Sequence, residues 1–265
     1  MPPQELRLPA IPPTLPPAIP PTDHLARRSL DTGIALLILI VLSGLLLLVA
    51  VLVSCTSHGP LFYKQKRVGR GGKLFEIWKF RTMRPGSDRS GPSVTSADDD
   101  RITPVGRFLR NWKLDELPQL WNVVRGDMGL VGPRPQVPRF VDCFDPSLRS
   151  IVLHVRPGIT GPTALHFRHE ESLLANKDDR EGFYIEQILP VKLEMDVEYV
   201  QNRTLRSDLR ILTQTAWMFS VAPVKRVLQA KGRRRHHAPS HGKPAAESAP
   251  EAAERSPEDA LGTAH

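Results

Sequence analysis

Cysteine is nearly absent: two in 265 residues, Cys55 and Cys143. That excludes a disulfide framework, and neither residue sits in a metal-ligand spacing. The pair fits a reducing, cytoplasm-facing protein. A Walker phosphate loop is missing as well, because Gly69-Arg70-Gly71-Gly72-Lys73 has the wrong spacing and no Ser or Thr follows the lysine. No recognised nucleic-acid module accompanies the formal charge of +8, so no nucleic-acid partner is expected. Both ends are poor in core-forming sequence. Nine prolines fall within Met1 to Pro21, and proline lacks the amide donor that regular structure needs, so residues 1–22 read as an extended or disordered arm. Residues 231–265 hold too few large apolar side chains to bury a core and read as a disordered tail.

Between these ends lies one long run without charge. Ile34 to Val53 is dominated by Leu, Ile and Val, and twenty helical residues rise roughly 30 Å, about one hydrocarbon thickness. Residues 23–57 are therefore expected to be a membrane-embedded helical segment. It begins too far into the chain and runs too long for a cleaved signal peptide. Arg27 and Arg28 precede the run, and Lys64, Lys66, Arg67 and Arg70 follow it. Positive charge favours the cytoplasmic side, so both flanks point to the same side. A re-entrant helix-break-helix satisfies this, with the break at Ser43-Gly44, where glycine weakens the helix and serine can bond freed carbonyls. A single-pass helix is the alternative.

Residues 58–230 then form a single domain. Leu61 to Val68 and Leu74 to Phe80 are β-prone runs joined by Gly69 to Gly72, a hairpin pattern. Period-two geometry puts Lys79 and Arg81 on one face, as a phosphate or headgroup site or simply a solvated basic edge. The loop Pro85 to Ala97 leads to Asp98-Asp99-Asp100, read as a loop and helix start. Further on, Leu117, Leu120, Trp121 and Val124 have amphipathic helix spacing, with Asp115 at the N-cap and Pro118 in the first turn. A helix N-terminus stabilises carboxylates and phosphates alike. Locally, Asp115 is either a cap or an ionised carboxylate able to attack phosphorus, with Glu116 turned about 100° away and free for a metal. Arg134, held between Pro133 and Pro135, suits bidentate phosphate binding or is a surface turn arginine. Residues 207–219 carry Leu209, Leu212, Ala216 and Phe219 at near-helical spacing, fitting either a bilayer interface or core packing.

Several ordered motifs occur together: Lys79-Phe80-Arg81-Thr82-Met83, Leu114-Asp115-Glu116-Leu117-Pro118-Gln119, Gly126-Asp127-Met128, Gly132-Pro133-Arg134-Pro135 and Arg156-Pro157-Gly158-Ile159-Thr160-Gly161. In this combination the chain, from about Arg27 to Phe219, resembles the bacterial sugar transferase family. These are the monotopic phosphoglycosyl transferases that initiate exopolysaccharide and related glycan synthesis. The resemblance implies an α+β, helix-rich fold: a small catalytic domain on the cytoplasmic face of the bacterial inner membrane, with a short β-hairpin and one N-terminal re-entrant helix-break-helix. It implies transfer of a phosphosugar from a UDP-sugar to undecaprenyl phosphate through a covalent aspartyl intermediate, releasing UMP.

By motif position, Asp115 is the expected nucleophile, Glu116 the Mg2+ ligand, and Arg110, Arg134, Lys79 and Arg81 the phosphate-binding cations. Membrane lipid and downstream glycosyltransferases are the other expected partners. A catalytically inactive membrane scaffold for polysaccharide assembly is the competing reading. Two departures from the family pattern stand out: Ser43-Gly44 replaces the usual Ser-Pro break, and Pro162 to Glu171 replaces a Gln-Val-Asn-Gly-Arg-like segment. No sugar identity is therefore carried over. The chain reads as the minimal catalytic form, without the multi-span N-terminal domain of larger members.

Overall fold

The apolar run folds as two helices, α1 (Pro21–Val41) and α2 (Ser43–Thr56), bent by 64° where they meet. The computed structural model describes residues 21–87, 95, 99–168, 170–175 and 177–218. The expected tail lies outside the described residues, as does most of the arm, whose last two residues instead open α1. The bend residue is Leu42, one position ahead of the expected Ser43-Gly44 break; Ser43 and Gly44 open α2. Backbone bonds continue on both sides, from Leu42 N to Ile38 O and from Leu46 N to Leu42 O. Among the described residues no single helix is long and apolar enough to cross a membrane, whereas this bent pair taken together is.

The outer ends of both helices are fastened to the same domain. Arg27 of α1 pairs with Asp208, and Arg28 donates to the carbonyls of Val123 and Val124. Past the end of α2, Arg81 donates to the carbonyls of Ser57 and Pro60 and to Ser57 Oγ. Around the bend, Leu37, Ile40, Val41, Leu47 and Leu48 are more than half exposed, an apolar surface that the domain itself does not cover.

The expected hairpin is present. β1 (Phe62–Val68) pairs antiparallel with β2 (Leu74–Phe80), with Phe62 opposite Phe80 and Val68 opposite Leu74. Gly71 and Gly72 supply the positive φ of the turn. A second, parallel pairing joins β3 (Gly129–Val131) to β4 (Gly158–Thr160), two stretches in or beside the Gly/Pro-rich motifs of the sequence. Here the backbones lie so close that a Cβ on Gly158 would collide with Gly132, and one on Gly132 would come within 2.6 Å of the Arg156 carbonyl.

Short helices fill the rest: α3 (Pro104–Asn111), α4 (Gln119–Arg125), α5 (Pro138–Asp142), α6 (Pro146–Val152), α7 (Pro162–His166), α8 (Glu170–Leu174) and α9 (Arg180–Phe183). A π-helical turn, Tyr184–Ile188, leads into α10 (Leu189–Asn202), and residues 205–218 form α11. Proline outside the arm has a positional use: α3, α5, α6 and α7 each have it at the first helical position, where the missing amide costs nothing. Thr103 caps α3 by accepting from Gly106 N, and Asp145 caps α6 by accepting from Ser147 N.

The core joins Leu120, Val123, Met128, Leu130 and Val131 to the face of α10 carrying Leu193, Val197 and Val200. Ala35 of α1 is part of it, so the first apolar helix is integral to the domain. A smaller cluster of Val49, Val53, Phe80 and Leu109 seats α2 against β2 and α3. Two expected stripes are rotated. On α4, Leu120, Asn122 and Val123 are buried while Trp121 is exposed; on α11, Ile211 is buried while Leu209 is exposed. Contact with the remainder of the fold, rather than spacing alone, selects which arc of a short helix is covered.

Candidate active site

The hairpin, α3, α4 and the β3–β4 pair converge on a cavity of about 700 Å³. Ten basic side chains and four acidic ones line it among the described residues, an excess suited to a polyanionic ligand. Apolar side chains line it as well, among them Ile38 of α1 and Leu212 and Met218 of α11.

Asp115 and Glu116 line this cavity, both buried, in a 3-10 turn, Leu114–Glu116. Asp115 is therefore not the N-cap of α4 expected from the sequence. Pro118 holds that position, and no side chain caps the helix. The turn is entered through Lys113 at φ 54°, the non-glycine residue with positive φ among the described residues. Left-handed backbone is costly for lysine, and such strain tends to persist where the surroundings demand a particular orientation. Here it reverses the chain after α3 and turns both acids inward.

Their electrostatic settings differ. Glu116 is bonded by Lys79 Nζ to Oε1 at 2.8 Å and by both ends of the Arg134 guanidinium, with Nη1 to Oε2 at 3.1 Å. Burial works against its charge, but Arg134 and Lys79 outweigh it and hold the carboxyl well below the usual range. Asp115 has no such clamp, and its Oδ1 is buried without a hydrogen-bond partner. Burial, and then the neighbouring Glu116 charge, raise its pKa against the pull of Lys79, Arg110 and Lys113. One acid is thus locked as an anion by cations. The other presents an unpartnered oxygen.

The expected cations divide. Lys79 and Arg134 meet at Glu116, and Arg110 lines the cavity with Nε on Thr82 Oγ1 at 3.0 Å and Nη1 3.4 Å from Glu171. Arg81 also borders the cavity, but its guanidinium is committed to Ser57 and Pro60, where it ties the end of α2 to β2. In this structure it acts as a fastener, unlike the phosphate cation expected from its motif. Asp99, from the acidic triplet, pairs with Arg101 at 2.6 Å.

Sequence reasoning missed Arg67, which was read only as a membrane-flank charge. It donates to the Pro135 carbonyl at 3.1 Å and to Gln65 at 2.6 Å, so it braces the turn carrying Arg134. Burial, with Arg134 nearby, lowers its pKa to about 10. Lys192, Glu170 and Tyr184 also line the cavity, and no local motif marked them. For a metal, no group of three or more His, Cys, Asp or Glu gathers among the described residues. Mg2+ commonly takes only one or two protein carboxylates, with water and substrate phosphates completing its shell. Adjacent acids with one orphaned buried oxygen fit that sparse requirement.

A family model described as bacterial sugar transferase matches residues 22–221. The exopolysaccharide production protein ExoY of Sinorhizobium fredii is 38% identical over 206 residues, which is 72% of this chain and 84% of that protein. A UDP-glucose:undecaprenyl-phosphate glucose-1-phosphate transferase of Caulobacter vibrioides is 38% identical over 72% of this chain and 68% of its own length. A UDP-N-acetylgalactosamine-undecaprenyl-phosphate N-acetylgalactosaminephosphotransferase of Aeromonas hydrophila is 36% identical over 71% of this chain. The match spans only 42% of that last protein's length.

Proposed function

The chain belongs to the bacterial sugar transferase family, and from that premise we propose that it moves a phosphosugar from a UDP-sugar to undecaprenyl phosphate, as an early membrane step of exopolysaccharide or related glycan assembly. The observation that carries this reading is the unequal pair: Asp115 with a buried, unpartnered oxygen beside Glu116 clamped by Lys79 and Arg134.

In the proposed first step a carboxylate oxygen of Asp115 attacks the β-phosphorus of the donor. The bond from phosphorus to the bridging oxygen breaks, UMP leaves with that electron pair, and the phosphosugar is held as an acyl phosphate. In the second step a phosphate oxygen of the acceptor attacks the same phosphorus and Asp115 leaves as a carboxylate. Arg134, Lys79, Arg110 and Arg67 offset the charge that gathers around phosphorus in both steps. Burial of Asp115 strips water from the nucleophile and shields the acyl phosphate from hydrolysis. Glu116 is the residue proposed to hold Mg2+, with Asp115 beside it; bound there, the ion would supply Lewis-acid neutralisation of the diphosphate.

The bent helix pair, with both outer ends fastened to one domain, supports a re-entrant membrane segment and a catalytic domain on a single face, proposed to be the cytoplasmic one. The apolar side chains that α1 and α11 add to the cavity lining suit a lipid-linked acceptor. The deciding experiment is UMP release from a panel of UDP-sugars by the full chain in nanodiscs with undecaprenyl phosphate and Mg2+. Release with at least one donor, together with a denaturation-resistant phosphosugar adduct on the protein, is the expected result. No release with any donor would leave the inactive scaffold as the better reading.

A further inference from the structure

On the side of the cavity beyond Arg134, four residues from separate elements form a wall that the transfer chemistry does not use. Lys192 of α10 is 5% exposed yet charged, and its Nζ bonds Glu170 Oε2 at the start of α8. The same ammonium lies over two aromatic rings, 5.3 Å from the Phe167 centroid and 5.0 Å from that of Tyr184. Tyr184 opens the π-helical turn, a geometry that often marks functional positions in helices. Its hydroxyl bonds Gln136, two residues beyond Arg134, at 3.2 Å.

Burying an ion pair usually stabilises a fold no better than apolar packing of the same volume. On a cavity wall the same pair presents charge and hydrogen-bonding atoms to a ligand. From the wall, we infer that Phe167, Glu170, Tyr184 and Lys192 read the hexose of the donor and set which UDP-sugar is accepted. This rests on the transferase reading above. The chemistry matches a pyranose: the half-buried Phe167 ring offers apolar contact to its C–H groups, while a carboxylate and an ammonium bond neighbouring hydroxyl or acylamino groups.

Position favours the sugar over the uracil. Tyr184 bonds Gln136 on the turn that carries Arg134, and Arg134 clamps Glu116, so the wall adjoins the Asp115-Glu116 site. Glu171, next along α8, is tied to Arg110 from the other side. The hexose is bonded directly to the attacked β-phosphate, whereas the uracil is separated from it by a further phosphate and the ribose. Only the hexose is held that near the site of attack.

The test compares Glu170→Gln and Phe167→Leu with the parent chain in nanodiscs. UMP release is measured with UDP-glucose, UDP-galactose and their N-acetyl counterparts, and binding of UDP and of each UDP-sugar is measured in an Asp115→Asn background. The ratio of kcat/KM between the best and worst donors is expected to fall roughly tenfold or more, as for a lost hydrogen bond to a charged group, with UDP affinity within about twofold of the parent. Loss by the same factor for every donor would overturn the proposal. So would UDP binding weakened as much as UDP-sugar binding, which would put the uracil at this wall. If either variant melts well below the parent, Tyr184→Phe and the paired exchange Glu170→Leu with Lys192→Met are read by the same criteria. Should no donor be turned over at all, the transferase reading fails on its own. Binding still decides the wall: a UDP-sugar preference over UDP that the variants abolish upholds it, and no preference sinks it.

Discussion

Arg134 grips both carboxylate oxygens of Glu116, with Nη1 on Oε2 at 3.1 Å and Nη2 on Oε1, and Lys79 completes the clamp at 2.8 Å. Removing the acid charge leaves two cations facing each other in a largely buried site. Glu116→Gln is expected to destabilise the protein by about 3 kcal/mol, in the range for a broken buried pair, and to flatten the Mg2+ dependence of UMP release. Arg134→Lys keeps the charge but loses the fork, so it should retain most of the stability and lose much of the rate. Chemical denaturation and Mg2+ titration check both outcomes, and a normal Mg2+ profile in Glu116→Gln would refute its metal role.

Asp115→Asn is expected to abolish the covalent adduct and lower UMP release by on the order of 1,000-fold or more, the scale of nucleophile removal in other covalent enzymes. Its melting temperature should match or exceed that of the parent, because the buried carboxylate has an unpartnered oxygen and burial disfavours its charge. Since the Asp115 pKa is raised, adduct formation should begin to fail on acidification at a higher pH than for an exposed aspartate. Adduct formation in the Asn variant would point to another nucleophile.

Asp196 of α10, held by Thr163 Oγ1 at 3.0 Å, gives a stability signature separate from catalysis. Burial raises its pKa from 3.8 to about 7. Between those values the folded chain keeps a proton that the unfolded chain has released. The stability it contributes is complete below the unfolded value and is lost as pH rises through about 7, an effect on the order of 2–4 kcal/mol. Asp196→Asn should flatten the fall in melting temperature between about pH 4 and 7; an unchanged slope would assign it to other groups.

Gly158→Ala tests the backbone beneath the Arg134 turn. Its methyl would strike Gly132, which is bonded to Thr160 O at 3.0 Å, and would push β3 from β4. A loss of roughly 1–3 kcal/mol is expected, as for overpacked cores, with a fall in rate beyond what the folded fraction explains. Full activity per folded molecule would mean that Arg134 does not depend on this contact.

The proposed re-entrant topology, supported by the fastening of α1 and α2 to one domain, has its own test. Single cysteines placed before Arg27 and after Ser57, in a chain lacking Cys55 and Cys143, should be labelled from the same side of the membrane in intact cells. Labelling from opposite sides would replace the re-entrant pair with a spanning helix.

Local pattern made part of this protein legible. The apolar run, the glycine hairpin and the Asp115-Glu116, Arg134 and Lys79 motifs stand out because hydrophobic length, turn chemistry and short motifs are local properties. The family followed from their order. Rotation of α4 and α11, the bend at Leu42 and the parallel β3–β4 pair did not, since each depends on what a segment packs against.

The sequence by itself determined which residues could carry phosphate chemistry and that a long apolar segment precedes them. Only the tertiary structure decided how the charges were distributed. Arg81 shares a motif with Lys79, yet it fastens the end of α2 while Lys79 clamps Glu116. Arg67, Glu170 and Lys192 reach the cavity from distant segments. Neighbouring acids acquired opposite character because a carboxylate's charge depends on the cations and solvent around it, and those come from elsewhere in the chain.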